Sequence, residues 1–503
     1  MRLDLQLAQH WIPGSIVRFP DGAATAVNAV CTDTRAIAPG CLYVALRGDR
    51  FDGHDFADAA MAAGASALML EADSPAAAMP WPIAHVLVPD TTLALGALAA
   101  GWRAQFDLPI IAVTGSNGKT TVKGMIAAIL EAAYGPTHCH ATPGNLNNQI
   151  GVPLTLLGLN TSHRAAVVEL GMNHPGEIAG LARMTGASVA LVNNAQREHQ
   201  EFLDGVEATA RENGASIAEL GADGTAVFPA DDPCAPVWRA LAGSRRTLEF
   251  ALHDQARTDV SAPEVSAAQN ADPARFVLRL RGRAAPLDSS ASVAASISAA
   301  TTEPLDLEVR LAIDGQHSVR NALAAAACCC AIGIAPAAIV AGLESFRPLP
   351  GRLVRHARAD SVVVIDGSYN ANPDSVRAAI DLLAGLRQRE QAGRVVLVLG
   401  DMGEVGAQGP EFHAEVGAWA QHQGLDALIA TGALASAAVC GWQSAEQAGA
   451  QFCSTIDEAI AAARVAATPG TTLLVKGSRF MRMERVVRGL LEPAVAAQVG
   501  GHA

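Results

Sequence analysis

From residue 109 onward, short continuous apolar runs alternate with amphipathic stretches. "PIIAVTG" (109–115) reads as a buried strand, because a brief apolar run closed by glycine suits a sheet covered on both faces. "KTTVKGMIAAILEAAY" (119–134) follows with apolar residues at helical spacing. "RAAVVELG" (164–171) and "SVALVNN" (188–194) repeat the strand pattern, with the helical "GEIAGLARM" (176–184) between them. This alternation predicts a parallel sheet with crossover helices. Upstream, "CLYVALRG", "SALMLE" and "HVLVP" read as strands and "FADAAMAAGA" as a helix, giving a small mixed α/β unit over 1–108.

After about 225 the pattern turns strand-rich. "RRTLEFAL", "ARFVLRL" and "LDLEVRLAI" predict a small antiparallel annex to the central sheet. Inside it, "GRAAPLDSSASVAASISAATTEP" is rich in Ser and Ala without periodicity and reads as a flexible loop tip. Two helices, "SVRNALAAAACCCAIG" and "PAAIVAGLESF", complete a central domain over 109–347. "RPLPGR" reads as a linker. Beyond it, "SVVVIDG", "RVVLVLGD", "ALIATG" and "TLLVKGS", each followed by a helical stretch, predict a second doubly wound, Rossmann-like domain over 348–503. The expected fold is therefore α/β in three domains, with a P-loop ATPase-type parallel sheet at the centre.

Composition adds limits. The chain has 503 residues, half of them hydrophobic, and a formal charge of −13. No basic run suggests a nucleic-acid partner. No apolar run is long enough for a membrane span, and the N-terminus lacks the pattern of a signal peptide, so a cytoplasmic protein without a membrane partner is expected. The nine cysteines have no ladder-like spacing and read as reduced thiols, the Cys328–Cys330 run included. Lysine is more informative. It occurs only at Lys119, Lys123 and Lys476, and every other basic side chain is arginine. Where Arg is the default cation, a retained Lys marks a place for a compact charge on a flexible stem.

Two of those lysines lie in "VTGSNGKTTVKG" (113–124), a glycine turn between strand and helix. Backbone amides of such a turn, with a helix N-terminus behind them, favour a polyphosphate. Lys119 can reach the β- and γ-phosphates, and the Thr120 or Thr121 hydroxyl can ligate Mg²⁺. The motif is a shortened T-G-x-x-G-K-T form. Its nucleotide-binding set is Thr114, Gly115, Ser116, Asn117, Gly118, Lys119, Thr120 and Thr121. Glu169 ends an apolar strand of the same sheet, where α/β proteins place ligand groups.

That shortened loop resembles the Mur ligase superfamily, ATP-dependent enzymes that join amino acids or peptides to a nucleotide-linked muramic acid. The likeness runs through "TDTRAIAPGCLYVALRGDRFDGHDF", "TPGNLNNQIGVP", "VELGMNH", "HSVRNALAA", "PGR", "DGSYNANPDS", "LGDMGEVG" and "LVKGSR", almost the whole chain. "YNANP" is similar to the branch that adds D-alanyl-D-alanine to UDP-N-acetylmuramoyl-tripeptide. The signature of the branch that adds diaminopimelate is missing, and the first-domain motif argues against folylpolyglutamate synthases. A small-molecule kinase is a reading from another class.

The resemblance implies ATP and Mg²⁺, an acyl-phosphate route, and a monomer. It assigns the metals to Thr120, Glu169 and His199. It puts Asn321 and Arg352 near adenine and phosphate, and Asp366 on the ribose. The sugar nucleotide is expected at Asp33, Thr34 and Arg35, with Asn145 and Asn148 in the cleft. Tyr369, Asn370 and Asn372 are candidates for the dipeptide pocket or the adenine edge, and Lys476 for a substrate carboxylate, the phosphate or a domain tie. Many relatives carry a carbamylated lysine after the metal-site histidine, and here that helix has none. Arg211 stays protonated and cannot be carbamylated. Glu212 is the carboxylate expected in its place.

Overall fold

The computed structural model describes residues 2–254, 258–263, 274–281, 304–313, 315–388, 392–442 and 449–492. The Ser- and Ala-rich stretch at 282–303 lies outside them. Three principal sheets follow one another along the chain. The first has five strands in the order Ile16–Arg18, Ala84–Val88, Ala67–Glu71, Cys41–Val44 and Ala29–Cys31, parallel except for its first pair.

The second sheet has nine strands. At its centre Ile110–Thr114 lies between Ala165–Glu169 and Val189–Val192, parallel to both. All three strands are buried throughout, as their unbroken apolar runs require. Register sets Glu169 beside Val113 and Val192 beside Thr114. The phosphate loop, Glu169 and the segment after Val192 thus leave the sheet side by side, at the carboxyl edge where open α/β sheets bind ligands.

The annex is smaller than expected. Arg246–Ala251, read from the sequence as part of it, pairs in parallel with Thr225–Pro229. Antiparallel pairing starts only between Val260–Ser261 and Ala274–Leu280 and continues to Leu305–Leu311. Phe250 and Leu248 are fully buried and join the central core, which fixes that strand in the parallel body. The helix Gln316–Ala331 packs in the same core, with Cys328 and Cys329 fully buried. All nine cysteines are free thiols.

The third sheet has six strands in the order Val354–Ala357, Val363–Gly367, Thr471–Lys476, Arg394–Gly400, Ala427–Thr431 and Ala450–Cys453. Only the first pair is antiparallel. Among the described residues no helix is long and apolar enough to cross a membrane.

The domains join in two different ways. One apolar core runs from the first domain into the second, with Leu42, Val86, Leu95 and Leu98 in the same cluster as Val152, Leu156, Val168 and Leu181. The third domain keeps its own two cores.

Within the third domain the helices Gly409–His422 and Ser436–Trp442 approach closely enough that a Cβ on Gly417 would meet the Ala438 carbonyl oxygen at 1.9 Å. Gly417→Ala is therefore expected to destabilise this domain by about 1–3 kcal/mol, read as an earlier thermal transition. Gly180→Ala, on a helix with open space around it, is expected to leave that transition unmoved.

Candidate active site

A cleft of about 1150 Å³ opens between the central and third domains. Its floor is the phosphate loop. The helix Lys119–Tyr134 starts at Gly118, whose φ of +83° suits glycine and whose missing Cβ leaves room for Asn321 and Asn193. The first-turn amides have no intrahelical acceptor and present an anion site. The rest of the loop is braced from behind. Gly115 N donates to Asn213 Oδ1 at 2.8 Å, Thr114 Oγ1 to the Leu191 carbonyl at 2.8 Å, and Asn117 N to Asn194 Oδ1 at 2.9 Å. Thr114 and Gly115 therefore stand behind the loop, while Ser116, Asn117, Gly118, Lys119, Thr120 and Thr121 line the cleft.

One polar chain crosses the cleft floor. Arg352 Nη2 donates to Thr120 Oγ1 at 2.8 Å, and Thr120 Oγ1 donates to Glu169 Oε1 at 3.0 Å. Asn147 Nδ2 adds a second donor to the same oxygen at 2.9 Å. Glu169 Oε2 is buried without a hydrogen-bond partner, and the nearest cation is Lys123 Nζ at 3.9 Å. Lys123 itself is buried and donates to the carbonyls of Thr142 and Gly144 at 2.8 and 3.0 Å. Burial lowers its pKa, while Glu169 opposes the shift. It thereby pins the loop that carries Asn145, Asn147 and Asn148 to the phosphate-loop helix.

A second charged node flanks the first. Lys119 Nζ lies 2.8 Å from Glu198 Oε1 and also donates to the carbonyls of Gly115 and Ser116. His199 sits between two carboxylates, with Nδ1 2.7 Å from Glu404 Oε2 and Nε2 3.5 Å from Glu198 Oε1. Burial alone would lower its pKa, and the two carboxylates outweigh this and push it up to about 9. Its φ of +51° is left-handed, an uncommon conformation for a side-chain-bearing residue. Among the described residues no three His, Cys, Asp or Glu side chains converge on one point. Mg²⁺ takes one or two carboxylates and completes its shell with phosphate oxygens and water. The orphaned oxygen of Glu169 and the Thr120 hydroxyl are donors of this kind.

The third domain supplies the opposite wall. Arg352 lies over the Tyr369 ring at 4.2 Å. Asn117 and Asn372 exchange amide bonds at 3.0 and 3.2 Å. Lys476 is buried and donates to the Asn370 carbonyl at 2.8 Å. Burial first, and Arg352 second, push its pKa down to about 8. Beside it, burial and Lys476 push His317 down to about 4. The tie between the walls is Arg197. Its guanidinium reaches Asp374 Oδ1 at 2.6 Å and Glu415 Oε2 at 2.6 Å, and its amide donates to Asp374 Oδ2 at 2.8 Å.

The structure brings Lys119, Thr120, Thr121, Glu169, His199, Asn145, Asn148, Asn321, Arg352, Tyr369, Asn370, Asn372 and Lys476 into this one cleft. One expectation needs correcting. Both oxygens of Glu212 accept amides, from Gly176 at 2.9 Å and Ile178 at 3.1 Å, so it caps the helix Glu177–Thr185 and does not line the cleft. Asp366 lies beneath the cleft wall, engaged by Gly351 N, Ser368 N and Ser368 Oγ. Asp33, Thr34 and Arg35 stay outside the cleft, where Asp33 pairs with an exposed Arg35 at 2.6 Å.

Sequence reasoning missed Glu198, Glu404, Asn147, Asn213 and the Arg197 latch. The scarcity of lysine had pointed to Lys123, and "LGDMGEVG" already contained Glu404.

A phosphate loop, an adjacent strand-end carboxylate and a wall from a separate Rossmann-like domain define a nucleotide-dependent enzyme that works between domains. The chain matches three family models: Mur ligase family, catalytic domain, over 26–103; Mur ligase middle domain over 113–329; and Mur ligase, glutamate ligase domain, over 351–479. The chain belongs to the Mur ligase family. It is 38% identical over 479 residues to the UDP-N-acetylmuramoyl-tripeptide–D-alanyl-D-alanine ligase of Escherichia coli K12, covering 94% of this chain and 95% of that protein. Its identity to the Bacillus subtilis ligase of the same name is 32% over 474 residues, again covering 94% and 95%. A crystal structure of MurF from Acinetobacter baumannii superposes with a TM-score of 0.83 at 32% identity, covering 98% of this chain and 99% of that one. A MurF from Thermotoga maritima, solved with ADP, shares the fold at 23% identity, with a TM-score of 0.72 and coverage of 92% and 97%.

Two outcomes follow from this geometry. Arg197→Ala is expected to weaken the contact between the central and third domains by on the order of 1–3 kcal/mol and to enlarge the radius of gyration in small-angle scattering. Lys123→Met is expected to lower kcat by about 10²-fold with a smaller change in the KM for ATP, measured by steady-state kinetics, because it loosens Glu169 and the 142–148 loop without removing a phosphate contact.

Proposed function

We propose that this chain is an ATP-dependent ligase that joins D-alanyl-D-alanine to UDP-N-acetylmuramoyl-tripeptide, with ADP and phosphate as the other products. The observation that carries the reading is the Arg352–Thr120–Glu169 chain, in which a residue of the linker to the third domain bonds the phosphate-loop threonine. One cleft can then serve both the phosphoryl donor and the amine acceptor. The names of the relatives support the substrate pair.

The reaction has two transfers. The tripeptide carboxylate attacks the γ-phosphorus of ATP, the bond to the β–γ bridging oxygen breaks, and ADP leaves. The amine of the dipeptide then attacks the acyl-phosphate carbonyl, loses a proton, and expels phosphate. Carboxylate and triphosphate repel each other, so the first step needs cations between them. Lys119 supplies one on a flexible stem, and Arg352 a second from the linker. Mg²⁺, held by Thr120 and Glu169 with His199 nearby, would neutralise further phosphate charge. Asn321 would brace the loop beside the nucleotide. Asn145 and Asn148 would meet the sugar nucleotide, with Asp33, Thr34 and Arg35 further out on the first domain. Lys476 has one carbonyl acceptor among the described residues and faces Arg352. It suits an anion, either the dipeptide carboxylate or the departing phosphate. Closure of the third domain would keep water from the acyl phosphate. The enzyme would act in the cytoplasm, where ATP and nucleotide-linked precursors meet.

The test is phosphate release by the purified chain with ATP, Mg²⁺ and UDP-N-acetylmuramoyl-tripeptide, with and without the dipeptide. Release that depends on D-alanyl-D-alanine, together with a pentapeptide product by mass spectrometry, is the expected result. Turnover indifferent to both substrates would end this reading.

A further inference from the structure

The helix Gly205–Ala218 sends no carboxylate to His199, because Glu212 is spent on the amides of Gly176 and Ile178. A carboxylate nevertheless stands beside that imidazole, on the neighbouring residue. Glu198 is 12% exposed, and its Oε1 lies between Lys119 Nζ and His199 Nε2. Its Oε2 is buried with no hydrogen-bond partner. A buried carboxylate oxygen without a donor is costly to a fold and calls for a ligand or a functional reason.

Two further features bear on the same spot. On the far side of His199, Glu404 Oε2 comes within 2.7 Å of Nδ1, an ion-pair contact without hydrogen-bond geometry. A carboxylate beside one imidazole nitrogen, with the other turned toward the cleft carboxylate, resembles the arrangement that orients metal-ligating histidines. Lys119 meanwhile is folded back. Its ammonium is shared among Glu198 and the carbonyls of Gly115 and Ser116, all on or beside its own loop. An entering triphosphate would draw that ammonium away and leave Glu198 without its cation. The other buried carboxylate of the cleft, Glu169, has a similar orphaned oxygen with Lys123 nearby. Lys123 is tied to two backbone carbonyls of another segment and stays in place.

We propose that Glu198 is a divalent-cation ligand of the nucleotide-loaded enzyme, acting with His199 Nε2, and that Lys119 holds its place until nucleotide enters. The proposal rests on the ATP-dependent reading above. It gives the cleft two cation positions, one at Thr120 and Glu169 and one at Glu198 and His199. The carboxylate for the second comes from the loop after Val189–Val192 rather than from the helix Gly205–Ala218.

The test uses the full-length chain with Mn²⁺ and a non-hydrolysable ATP analogue, counting bound Mn²⁺ by electron paramagnetic resonance. The wild type is expected to hold two Mn²⁺ ions per chain. Glu198→Gln is expected to keep one and to weaken the other by roughly 10–100-fold or more. Glu198→Asp, which keeps a carboxylate, is expected to restore much of that affinity and guards against a folding defect. Without metal, Glu198→Gln is expected to bind the analogue at least as tightly as wild type, since Lys119 is released. Two undiminished Mn²⁺ sites in Glu198→Gln would overturn the proposal and reduce Glu198 to a resting partner of Lys119. A single Mn²⁺ in the wild type would overturn it as well. Failure of the wild type to bind the analogue would bring down the ATP-dependent reading itself.

Discussion

Negative charge buried beside a site for more negative charge is the constraint that organises this molecule. Glu169 and Glu198 lie in the floor of a cleft whose loop is shaped for polyphosphate. Carboxylates so placed repel the ligand unless cations stand among them, and the low dielectric of the cleft magnifies both effects. The chain answers with Lys119, Lys123 and Arg352, each within reach of one of these groups or of Thr120. Two of its three lysines are spent here. An ammonium can be held by carbonyls on several sides, as Lys123 is, or swing on its stem, as Lys119 can. A guanidinium fork does neither as readily.

The same charges set how the domains meet. The first and second domains share apolar side chains in one core. The second and third meet through Arg197 with Asp374 and Glu415, through the paired amides of Asn117 and Asn372, and through His199 with Glu404. Polar contacts of this kind can exchange with water at modest cost, whereas an apolar core cannot. The polar joint is the one crossed by the linker that holds Arg352. That is also the residue joining the third domain to the phosphate loop.

The architecture was largely legible in the sequence, because buried parallel strands leave unbroken apolar runs and the phosphate loop has a local signature. Ile110–Thr114, Glu169 at its strand end and Lys119 after the glycine turn all came from such signals. Arg246–Ala251 was misassigned to the annex, since a short strand does not declare its partner's direction. Glu212 failed for a different reason. Helical spacing tells which face a residue occupies but not whether neighbouring amides will claim it, and Gly176 and Ile178 do. Arg197 was invisible because its partners lie far along the chain, at Asp374 and Glu415. Glu198 lay next to a residue already singled out, and nothing in its local sequence marks it as buried.

The unlike joints also decide where a foreign molecule could enter. A wedge between the first and second domains would have to part interlocked aliphatic side chains such as Leu98 and Leu156 and leave a void behind. A small cationic molecule at the other joint has only to supply what Arg197 gives to Asp374 and Glu415, and those carboxylates stay partly wet. A ligand at the rim of the latch would thus sit away from the crowded phosphate loop common to nucleotide-using enzymes.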